Sequence, residues 1–356
     1  MCTKMFPCIR PFLWVGCFFI LLGLFSCKPE KETPVKPAEE ITFKPPSHFP
    51  APLYDFATNP VTTKGFELGR ALFYEPKLSR DGSVDCSFCH EQSAGFTQHG
   101  HDVSHGIDDR LGKRNSQPIM NKAWQNNFFW DGGAFHLDVT PVNAITNPVE
   151  MDESIANVLE KLRNDKDYPR LFKDAFGSPE ITSPRFFQAM AQFMLMCNSW
   201  ESKWDKVQQG ETTFTDVELA GEAIFTQKCA ACHPAPLFTD HSFRNNGLRP
   251  TRVDDKGRYE ITHSPQDMYA FKVPSLRNWR YTSPFMHDGR FFTLDAVLNH
   301  YENQVIESHS LDPLLKQNGQ LGISLSSTEK DNLKAFLNTL NDETFVKNPL
   351  LASPRR

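Results

Sequence analysis

The chain has 356 residues, and 39% of them are hydrophobic. This length can bury one large core or the cores of two modest domains. The formal net charge of -5 gives no basic excess, so nucleic acid is excluded as an expected partner.

The first 26 residues are predicted to form an export signal. Lys4 and Arg10 precede an apolar run over residues 12–25, and Cys27 follows directly. This order is typical of a bacterial lipoprotein signal, cleaved before Cys27 so that its thiol carries a lipid anchor. An ordinary signal peptide and an uncleaved anchor helix are the alternatives. Because all three export the chain, we expect a periplasm-facing protein, lipid-anchored to a bacterial membrane.

Residues 27–52 are predicted to form a Pro-rich tether. Seven prolines lie at positions 29, 34, 37, 45, 46, 50 and 52. Prolines at this density keep a backbone extended and unpacked. Such a segment would hold a folded body away from the membrane, and a disordered N-terminus is compatible with the same composition.

The folded body is predicted to begin with a helix over residues 62–75, where apolar residues recur at helical spacing. A turn at residues 79–82 leads into the first of two C-x-x-C-H motifs. Residues 90–150, beyond that motif, show no helical period and are rich in Gly, Asn, Pro and His. They predict a long irregular stretch, which is usually functional when it is ordered.

The two C-x-x-C-H motifs carry most of the cysteines that remain after the signal and Cys27. In c-type cytochromes the thiols of this pattern hold a haem covalently, and the adjacent histidine ligates its iron. A redox disulfide or a zinc site would leave the histidine beside both pairs unexplained. We therefore predict two covalently bound haem c groups. Their residues are Cys86, Cys89 and His90 in the first motif and Cys229, Cys232 and His233 in the second.

Further helices are predicted over residues 152–176, 183–209 and 328–340. Capping boxes at residues 215–218 and 326–329 mark two helix starts, and the helix after the first box runs into the second C-x-x-C-H motif. Strand signals are sparse.

The predicted fold is mostly α, with two tandem cytochrome c-like haem domains and long irregular loops. The N-terminal domain is expected over residues 53–205 and the C-terminal domain over residues 206–345, with the last residues able to pack back on the first domain. Cys197, which belongs to neither motif, is predicted to be a buried core thiol.

Eight short segments give the chain a specific resemblance to the bacterial dihaem cytochrome c peroxidase family, which includes the MauG-type enzymes. The resemblance runs from about Gly65 to Leu340, and the order of the segments also agrees. The segments are residues 68–73 (LGRALF), 78–82 (LSRDG), 114–115 (RN), 129–132 (FWDG), 147–151 (NPVEM), 257–259 (GRY), 271–278 (FKVPSLRN) and 284–289 (PFMHDG).

The resemblance implies a peroxidase with two haems of different roles. The N-terminal haem would be the peroxide site, and the C-terminal haem would take electrons from a one-electron donor and pass them inward. Two one-electron centres suit a reaction that reduces hydrogen peroxide to water with two electrons. The donor would be a small cytochrome c, a cupredoxin or a quinol, and family members are often homodimers.

Glu150 is, by this resemblance, the distal acid–base group of the peroxide site. The alternative is that Glu150 only begins a helix, where a carboxylate suits the helix dipole. The family usually places a glutamine ten residues earlier, and this chain has Thr140 there. Thr140 can still donate a hydrogen bond, although its side chain is shorter.

Trp130 matches the tryptophan that lies between the two haems of the family, where it could carry an electron or a radical. The alternative is a plain core aromatic. Asn115 matches a loop at the domain interface, and with the carbonyl groups of Thr282 and Pro284 it would bind one calcium ion.

The loop before Asn115 departs from the family. Many members carry a loop histidine that blocks the peroxide haem, but this chain has Ile107 at the aligned position. His99, His101 and His105 lie nearby. One of them could still ligate the iron, but we expect all three to be solvent-facing and the iron to be unblocked without prior reduction.

The second haem needs a distal ligand, and the position aligned with that ligand is Tyr301. Peroxidases of the family use methionine there and MauG-type enzymes use tyrosine, and a phenolate would lower the iron potential compared with a thioether. Met286 and His300 are alternatives, and Tyr301 could instead only pack on the final helix.

Two other functions stay open. A plain electron-transfer dihaem cytochrome would suit the missing glutamine. A MauG-type oxidase that modifies a partner protein would suit Tyr301.

Overall fold

A computed structural model describes residues 40–251 and 253–354. The predicted signal over residues 1–26 and Cys27 lie outside the described residues. In the part of the chain that is described, no helix is long and apolar enough to cross a membrane.

The described residues are mostly helical, as predicted. The α-helices are α1 (Thr63–Phe73), α2 (Cys86–Cys89), α3 (Thr140–Thr146), α4 (Ile155–Arg163), α5 (Tyr168–Phe176), α6 (Ser183–Met196), α7 (Lys203–Gln208), α8 (Asp216–Lys228), α9 (Tyr259–Thr262), α10 (Leu294–Asn299), α11 (Ser327–Asn338) and α12 (Glu343–Val346), with a π-helical turn at His300–Gln304.

The described strands are short and form two antiparallel pairs. Strand β1 (Phe243–Arg244) pairs with β2 (Phe271–Lys272), and β3 (Lys316–Gln317) pairs with β4 (Gln320–Leu321). Each pair joins two loop segments, and neither has a third strand in the described residues.

Helices α1, α8 and α11 begin where the sequence predicts. Thr62 caps α1, and the predicted capping boxes are both present, at Thr215 with Glu218 and at Ser326 with Glu329. Helix α8 ends at the second motif, because Cys229 is its C-cap.

The helix predicted over residues 152–176 is two helices. Helix α4 ends before Asn164, and the Asp165 carboxylate accepts from the Asp167 backbone N–H at 2.9 Å. Asp and Asn side chains compete in this way with helical hydrogen bonds. Pro169 then lies in the first turn of α5, where the missing N–H costs nothing.

The helix predicted over residues 183–209 is also two helices. Helix α6 ends at Met196, and the Asn198 amide donates to the Leu195 carbonyl at 2.7 Å. Ser202 and Asp205 then form a capping box that begins α7. The Ser202–Asp205 pattern is visible in the sequence, but apolar residues at helical spacing on both sides predicted one continuous helix.

The buried apolar side chains form two clusters. The first is built by residues between Phe49 and Cys197 together with Phe345, Val346 and Leu351, and the second by residues between Trp204 and Leu340. The thiol of Cys197 is fully buried in the first cluster, as predicted. This arrangement is compatible with two tandem domains, whose boundary stays a prediction.

Each cluster contains a helix pair that crosses at a glycine. In the first, α1 meets α6 at Gly69, where an added Cβ would lie 2.0 Å from the Ala189 carbonyl oxygen. In the second, α8 meets α11 at Gly221, where an added Cβ would lie 2.0 Å from the Asn332 carbonyl oxygen. Both crossings require a residue without a side chain, so the helix pairs of the two clusters pack in the same way.

The end of the chain packs on the first cluster. The Phe345 ring lies 5.6 Å from the Phe96 ring, and the Tyr74 hydroxyl donates to the Leu351 carbonyl at 2.8 Å. Val346 and Leu351 are also buried there. The C-terminal segment therefore leaves the second cluster and covers the first.

Residues 41–52 differ from the unpacked tether that the prolines predict. Phe43 stacks on Phe56 with ring centroids 4.5 Å apart, and the Trp124 indole donates to the Pro50 carbonyl at 2.8 Å. Phe49 is buried. The prolines keep this segment extended, but its aromatic residues attach it to the body.

A buried ion pair lies between the two clusters. Both Arg277 terminal nitrogens bind the Asp205 carboxylate at 2.8 Å, and neither side chain is exposed to solvent. His48 Nε2 also lies 2.9 Å from Asp205. The guanidinium faces the Phe49 ring of the first cluster and the Phe238 ring of the second. Arg277 therefore ties the two clusters together.

Two candidate haem sites

The first motif is presented by the short helix α2. Asp85 caps it and accepts from the Phe88 N–H at 3.1 Å, and the His90 N–H donates to the Cys86 carbonyl at 3.0 Å. This single turn brings Cys86, Cys89 and His90 to one place. In the described ranges the cysteines of both motifs form no disulfide, and no group of three or more potential metal-binding side chains is found.

The hydrogen bonding and burial of His90 favour the tautomer and the neutral form that bind a metal. Its Nδ1–H donates to the Phe96 carbonyl at 2.8 Å, which leaves Nε2 with a lone pair for the iron. Burial lowers the pKa of His90 to about 4. The imidazole is therefore neutral near pH 7, which is the form that ligates metals.

His233 repeats this arrangement in the second motif. Its N–H donates to the Cys229 carbonyl at 3.0 Å, and its Nδ1–H donates to the Phe238 carbonyl at 3.1 Å. Burial lowers the pKa of His233 as well. The two motifs thus have matching thiols, matching histidines and matching backbone acceptors, and the residues present fit two c-type haems.

A cavity of about 560 Å³ lies on the second motif. Cys229, Cys232 and His233 line one side of it, and Tyr301 and Met286 line the cavity as well. The volume is within the range of about 300–1,000 Å³ of ligand pockets, and most of the lining is apolar. Such a cavity suits a large flat apolar group that is attached at one edge.

The structure separates the three candidate distal ligands of the second site. Tyr301 and Met286 both reach the cavity, but His300 does not line it. His300 is buried, and its Nε2–H donates to the Asn246 carbonyl at 3.0 Å. Burial raises the pKa of Tyr301 to about 12, and a hydrogen bond from Asn246 opposes part of that rise.

Glu150 lies near the first motif, close enough that its charge raises the pKa of both Cys89 and Cys86, although burial is the larger cause. Asn147 Nδ2 donates to Glu150 Oε1 at 2.8 Å. Burial raises the pKa of Glu150, and the Asn147 hydrogen bond lowers it in part. Glu150 lies in a turn, and the next helix begins at Ile155, so it does not serve as a helix start.

Thr140 is held by its own turn. Its hydroxyl donates to the Leu137 carbonyl at 2.8 Å, at the start of α3. Among the described residues it makes no hydrogen bond to Glu150. The structure therefore places Asn147, and not Thr140, beside the candidate acid–base group.

The loop histidines lie around the first motif. His99 and His101 are exposed, and His105 is partly buried with its ring 5.0 Å from the Phe88 ring. Ile107, at the position aligned with the family's blocking histidine, is fully buried, and its N–H donates to the Glu150 carbonyl at 2.8 Å. This loop thus packs against the Glu150 backbone.

Trp130 and the candidate calcium ligands share the cavity wall of the second site. Trp130 is buried, and its indole N–H donates to the Asn115 carbonyl at 2.9 Å. Thr282 and Pro284 line the same cavity as Asn115. The Asn115 amide nitrogen donates to the Asp102 carbonyl at 3.0 Å, which leaves its side-chain oxygen as the group that suits a hard cation.

A partly buried charge cluster beside Trp130 was not predicted. The Arg114 guanidinium binds Asp131 and also binds Asp255, with Nε 2.6 Å from Asp255 Oδ2. Arg114 and Asp131 belong to segments of the family resemblance, but Asp255 is distant in sequence and lies in neither. Only the folded chain shows that these charges meet.

Asn147 and the two backbone acceptors were also missed. An Asn three residues before a Glu is a local signal for a side-chain contact, and Asn147 could have been found by it. The carbonyls of Phe96 and Phe238 carry no sequence signal, because every residue has a carbonyl.

The fold and the two sites define a dihaem c-type cytochrome. The sequence profile of the family described as di-haem cytochrome c peroxidase matches residues 63–213. The methylamine utilization protein MauG of Methylorubrum extorquens is 36% identical over 311 residues, covering 85% of this chain and 84% of that protein. The cytochrome c551 peroxidase of Nitrosomonas europaea is 32% identical over 302 residues, covering 83% of this chain and 85% of that protein.

The chain therefore belongs to the dihaem cytochrome c peroxidase family, which includes proteins named MauG and proteins named cytochrome c peroxidase. Membership implies two c-type haems. Among solved structures, a MauG-like protein associated with microbial copper homeostasis matches with a TM-score of 0.80 and 30% identity, covering 89% of this chain and 100% of that chain.

Proposed function

We propose that this protein is a dihaem c-type peroxidase that reduces hydrogen peroxide to water. The overall reaction combines one peroxide molecule, two protons and two electrons to give two water molecules. The two electrons come from two molecules of a one-electron donor, such as a small cytochrome c or a cupredoxin, each oxidised once, or from one quinol that is oxidised to a quinone. When bound, the haems supply the iron that binds peroxide and hold the electrons until they are used.

The placement of Glu150 carries the proposal. It lies near the first motif, and Asn147 holds its Oε1 atom. No described residue donates to Oε2, so this atom is available to take a proton from peroxide and return it to the leaving oxygen. Burial raises the pKa of Glu150 toward the range in which a carboxyl group both accepts and releases a proton.

The second motif suits electron entry. Tyr301 and Met286 lie in the cavity of His233, and either would close the iron to peroxide. We assign Tyr301 as the distal ligand. Trp130 lines this cavity together with Asn115, and we propose that its ring carries electrons toward the first site.

The remaining parts of the proposal concern organisation and location. We propose an N-terminal peroxide domain over residues 53–205 and a C-terminal electron-transfer domain over residues 206–345. Cys27 would carry a lipid anchor on the periplasmic side of a bacterial membrane. Asn115, Thr282 and Pro284 would hold one calcium ion, and a homodimer is the proposed assembly.

Tyr301 also favours a second candidate function. By the resemblance, a tyrosine ligand is typical of MauG-type enzymes, which modify a partner protein. If this second function holds, peroxide would drive oxidation of a partner protein and would oxidise a small donor slowly. A plain electron-transfer role would show neither reaction.

A steady-state assay with reduced cytochrome c or cupredoxin and peroxide tests the proposal. We expect peroxide-dependent oxidation of two donor molecules for each peroxide consumed. Slow donor oxidation together with oxidised aromatic residues in a partner protein would establish the second function. No peroxide consumption in any redox state would reject both.

A further inference from the structure

Two buried lysines have no carboxylate partner. In the described ranges, the buried lysine and arginine side chains are Lys122, Lys272 and Arg277. Arg277 is paired with Asp205, but neither lysine forms an ion pair with a described carboxylate. Lys272 is only 3% exposed. Because a buried charge is costly unless an opposite charge pairs with it, these two ammonium groups point to an anion that the described residues do not supply.

Lys272 lies beside Trp130, where the first and second halves of the body meet. Its backbone N–H donates to the Trp130 carbonyl at 2.8 Å. Its Nζ donates to Gln125 Oε1 at 3.1 Å and to the Asn127 carbonyl at 3.0 Å. An ammonium group has three N–H donors, so one remains for a further acceptor after these two bonds. Lys272 also lines the cavity on the second motif.

Lys122 lies on the side of the first motif. It begins a short turn, in which the Gln125 N–H donates to the Lys122 carbonyl at 3.2 Å. Three residues before Lys122, the Ile119 N–H donates at 3.3 Å to the Phe96 carbonyl, which also accepts from His90 Nδ1. The segment of Lys122 therefore runs from the surroundings of His90 to the amide that binds the other lysine.

A third buried donor lies beside these lysines. The Thr239 hydroxyl donates to the Val273 carbonyl at 2.6 Å and accepts from the His241 N–H at 2.9 Å, so His241 lies next to strand β2. His241 Nε2 is buried and has no hydrogen-bond partner among the described residues. Burial, together with the charges of Lys272 and Lys122, lowers the pKa of His241 to about 4, which indicates that the three side chains are close.

We propose that Lys272 and Lys122 form a binding site for haem propionates between the two motifs. Propionates are the anionic side chains of a haem, and a carboxylate is the partner that a buried ammonium group favours. Lys272, on the wall of the second cavity, binds a propionate of the second haem, and Lys122, near His90, binds one of the first haem. The inference requires only the two c-type haems that family membership implies, so it does not depend on which reaction they catalyse.

The lysine charges act on the potentials of the haems. Burial lowers the pKa of Lys122 to about 8 and also lowers that of Lys272, and a carboxylate beside each ammonium group opposes this fall. A cation beside a haem stabilises ferrous over ferric iron, because ferrous iron carries one positive charge less. Removing an ammonium group therefore lowers the reduction potential of the haem whose propionate it binds.

The test is a redox titration of the holoprotein, followed by absorption and EPR at each haem. Lys272→Met removes the charge and keeps a long side chain, whereas Lys272→Arg keeps the charge. Lys122→Met repeats the test at the second lysine. Lys166→Met, the same substitution at an exposed lysine, is the matched control. Resonance Raman bands of the propionates give a second measurement that does not depend on turnover.

We expect Lys272→Met to lower the reduced-to-oxidised ratio of the second haem roughly tenfold at a fixed potential, and Lys122→Met to do the same at the first haem. Lys272→Arg and the control should stay near the parent ratio, which a loss of packing alone would not produce. Where Lys272→Met fails to fold with both haems, Lys122→Met decides.

A shift at the opposite haem would support the propionate site and assign the bound propionate to that haem. An unchanged ratio at both haems in the methionine variants, with unchanged propionate bands, would overturn the inference. An equal shift in the Lys166→Met control would overturn it as well, because any loss of positive charge would then have the same effect.

Discussion

The two haem sites share one anchor and differ in what faces it. His90 and His233 each donate through Nδ1 to a backbone carbonyl of a phenylalanine a few residues later. On the first site the nearby titratable group is Glu150, held by Asn147. On the second, Tyr301 and Met286 share the cavity. Because the two histidines are held alike, we infer that the residues around them, Glu150 at the first site and Tyr301 with Met286 at the second, decide the role of each site.

Replacing Glu150 should have the largest effect, because it should impair the first site and leave the second site unchanged. Glu150→Gln keeps the shape of the side chain and removes the group that moves the proton, so peroxide turnover should fall by about 100- to 10,000-fold. The measurement is steady-state peroxide reduction with a reduced donor. The spectrum of the second haem should stay unchanged.

Glu160→Gln is the matched control for this prediction, because Glu160 is an exposed carboxylate on α4. Its turnover should equal that of the parent protein. A Glu150→Gln variant with full turnover would remove the proposed acid–base role.

Replacing Arg277 tests whether the two sites depend on one shared ion pair for their stability. Arg277→Met leaves Asp205 buried without its cation, which should destabilise the protein by about 3–5 kcal/mol. Because Arg277 contacts rings of both clusters, the two haem absorption signals of the variant should change together in one unfolding transition. Thermal or denaturant unfolding followed at both haem signals measures this.

The same ion pair gives a pH dependence of stability. Burial would raise the pKa of Asp205, but the hydrogen bonds and charge of Arg277 prevail and lower it. The stabilisation is therefore complete above the unfolded pKa of about 3.9 and is lost as pH falls through the lower folded value. Lys64→Met, which breaks an exposed ion pair with Glu67, is the control and should leave the stability almost unchanged, because water and salt screen exposed pairs. Separate transitions for the two haems would contradict the shared role of Arg277.

Tyr301→Met should make the second site resemble that of a methionine-ligated cytochrome. The potential of this haem should rise by on the order of 100 mV, because a thioether donates less charge than a phenolate. Redox titration followed at each haem measures the change. An unchanged potential would show that Tyr301 only packs in the cavity.

A smaller change should come from Asn147→Asp, which keeps an acceptor for the Val149 N–H and removes the donor to Glu150. Turnover requires the Glu150 carboxylate, so kcat/KM rises as pH increases through its pKa, which burial has raised. The variant should move this limb to higher pH by about one unit, since a donor is lost and a negative charge is added. A pH profile with an unmoved limb would show that Asn147 does not act on Glu150.

The loop histidines should have the smallest effect. His99→Gln, His101→Gln and His105→Gln should each leave the spectrum of the first haem unchanged, because the first two side chains are exposed and His105 packs on Phe88. A change from low spin to high spin in one variant would identify that histidine as a blocking ligand.

The sequence predicted those features that depend on local chemistry. The capping boxes at Thr215 and Ser326 were predicted correctly because each involves residues within a few positions of each other. The broken helices at Asn164 and Cys197 were missed because short polar caps were embedded in apolar patterns. The packing of residues 41–52 was missed because prolines indicate an extended backbone without showing what its aromatic neighbours contact.

The candidate sites were predictable only in part. Glu150, Trp130 and Tyr301 came from resemblance to a family, and their roles stay predictions. The contact between Asn246 and Met286 could not be found in this way, because it joins positions 40 residues apart. Tertiary contacts of this kind have no local signal.

EPR and absorption spectra of the air-oxidised protein, repeated after a slight excess of peroxide, test the division of roles most directly. A high-spin signal from one haem that changes rapidly with peroxide, beside a low-spin haem that does not bind it, is the predicted result. Two low-spin haems that ignore peroxide until one is reduced would contradict it, because a loop histidine would then close the first site as Tyr301 is proposed to close the second.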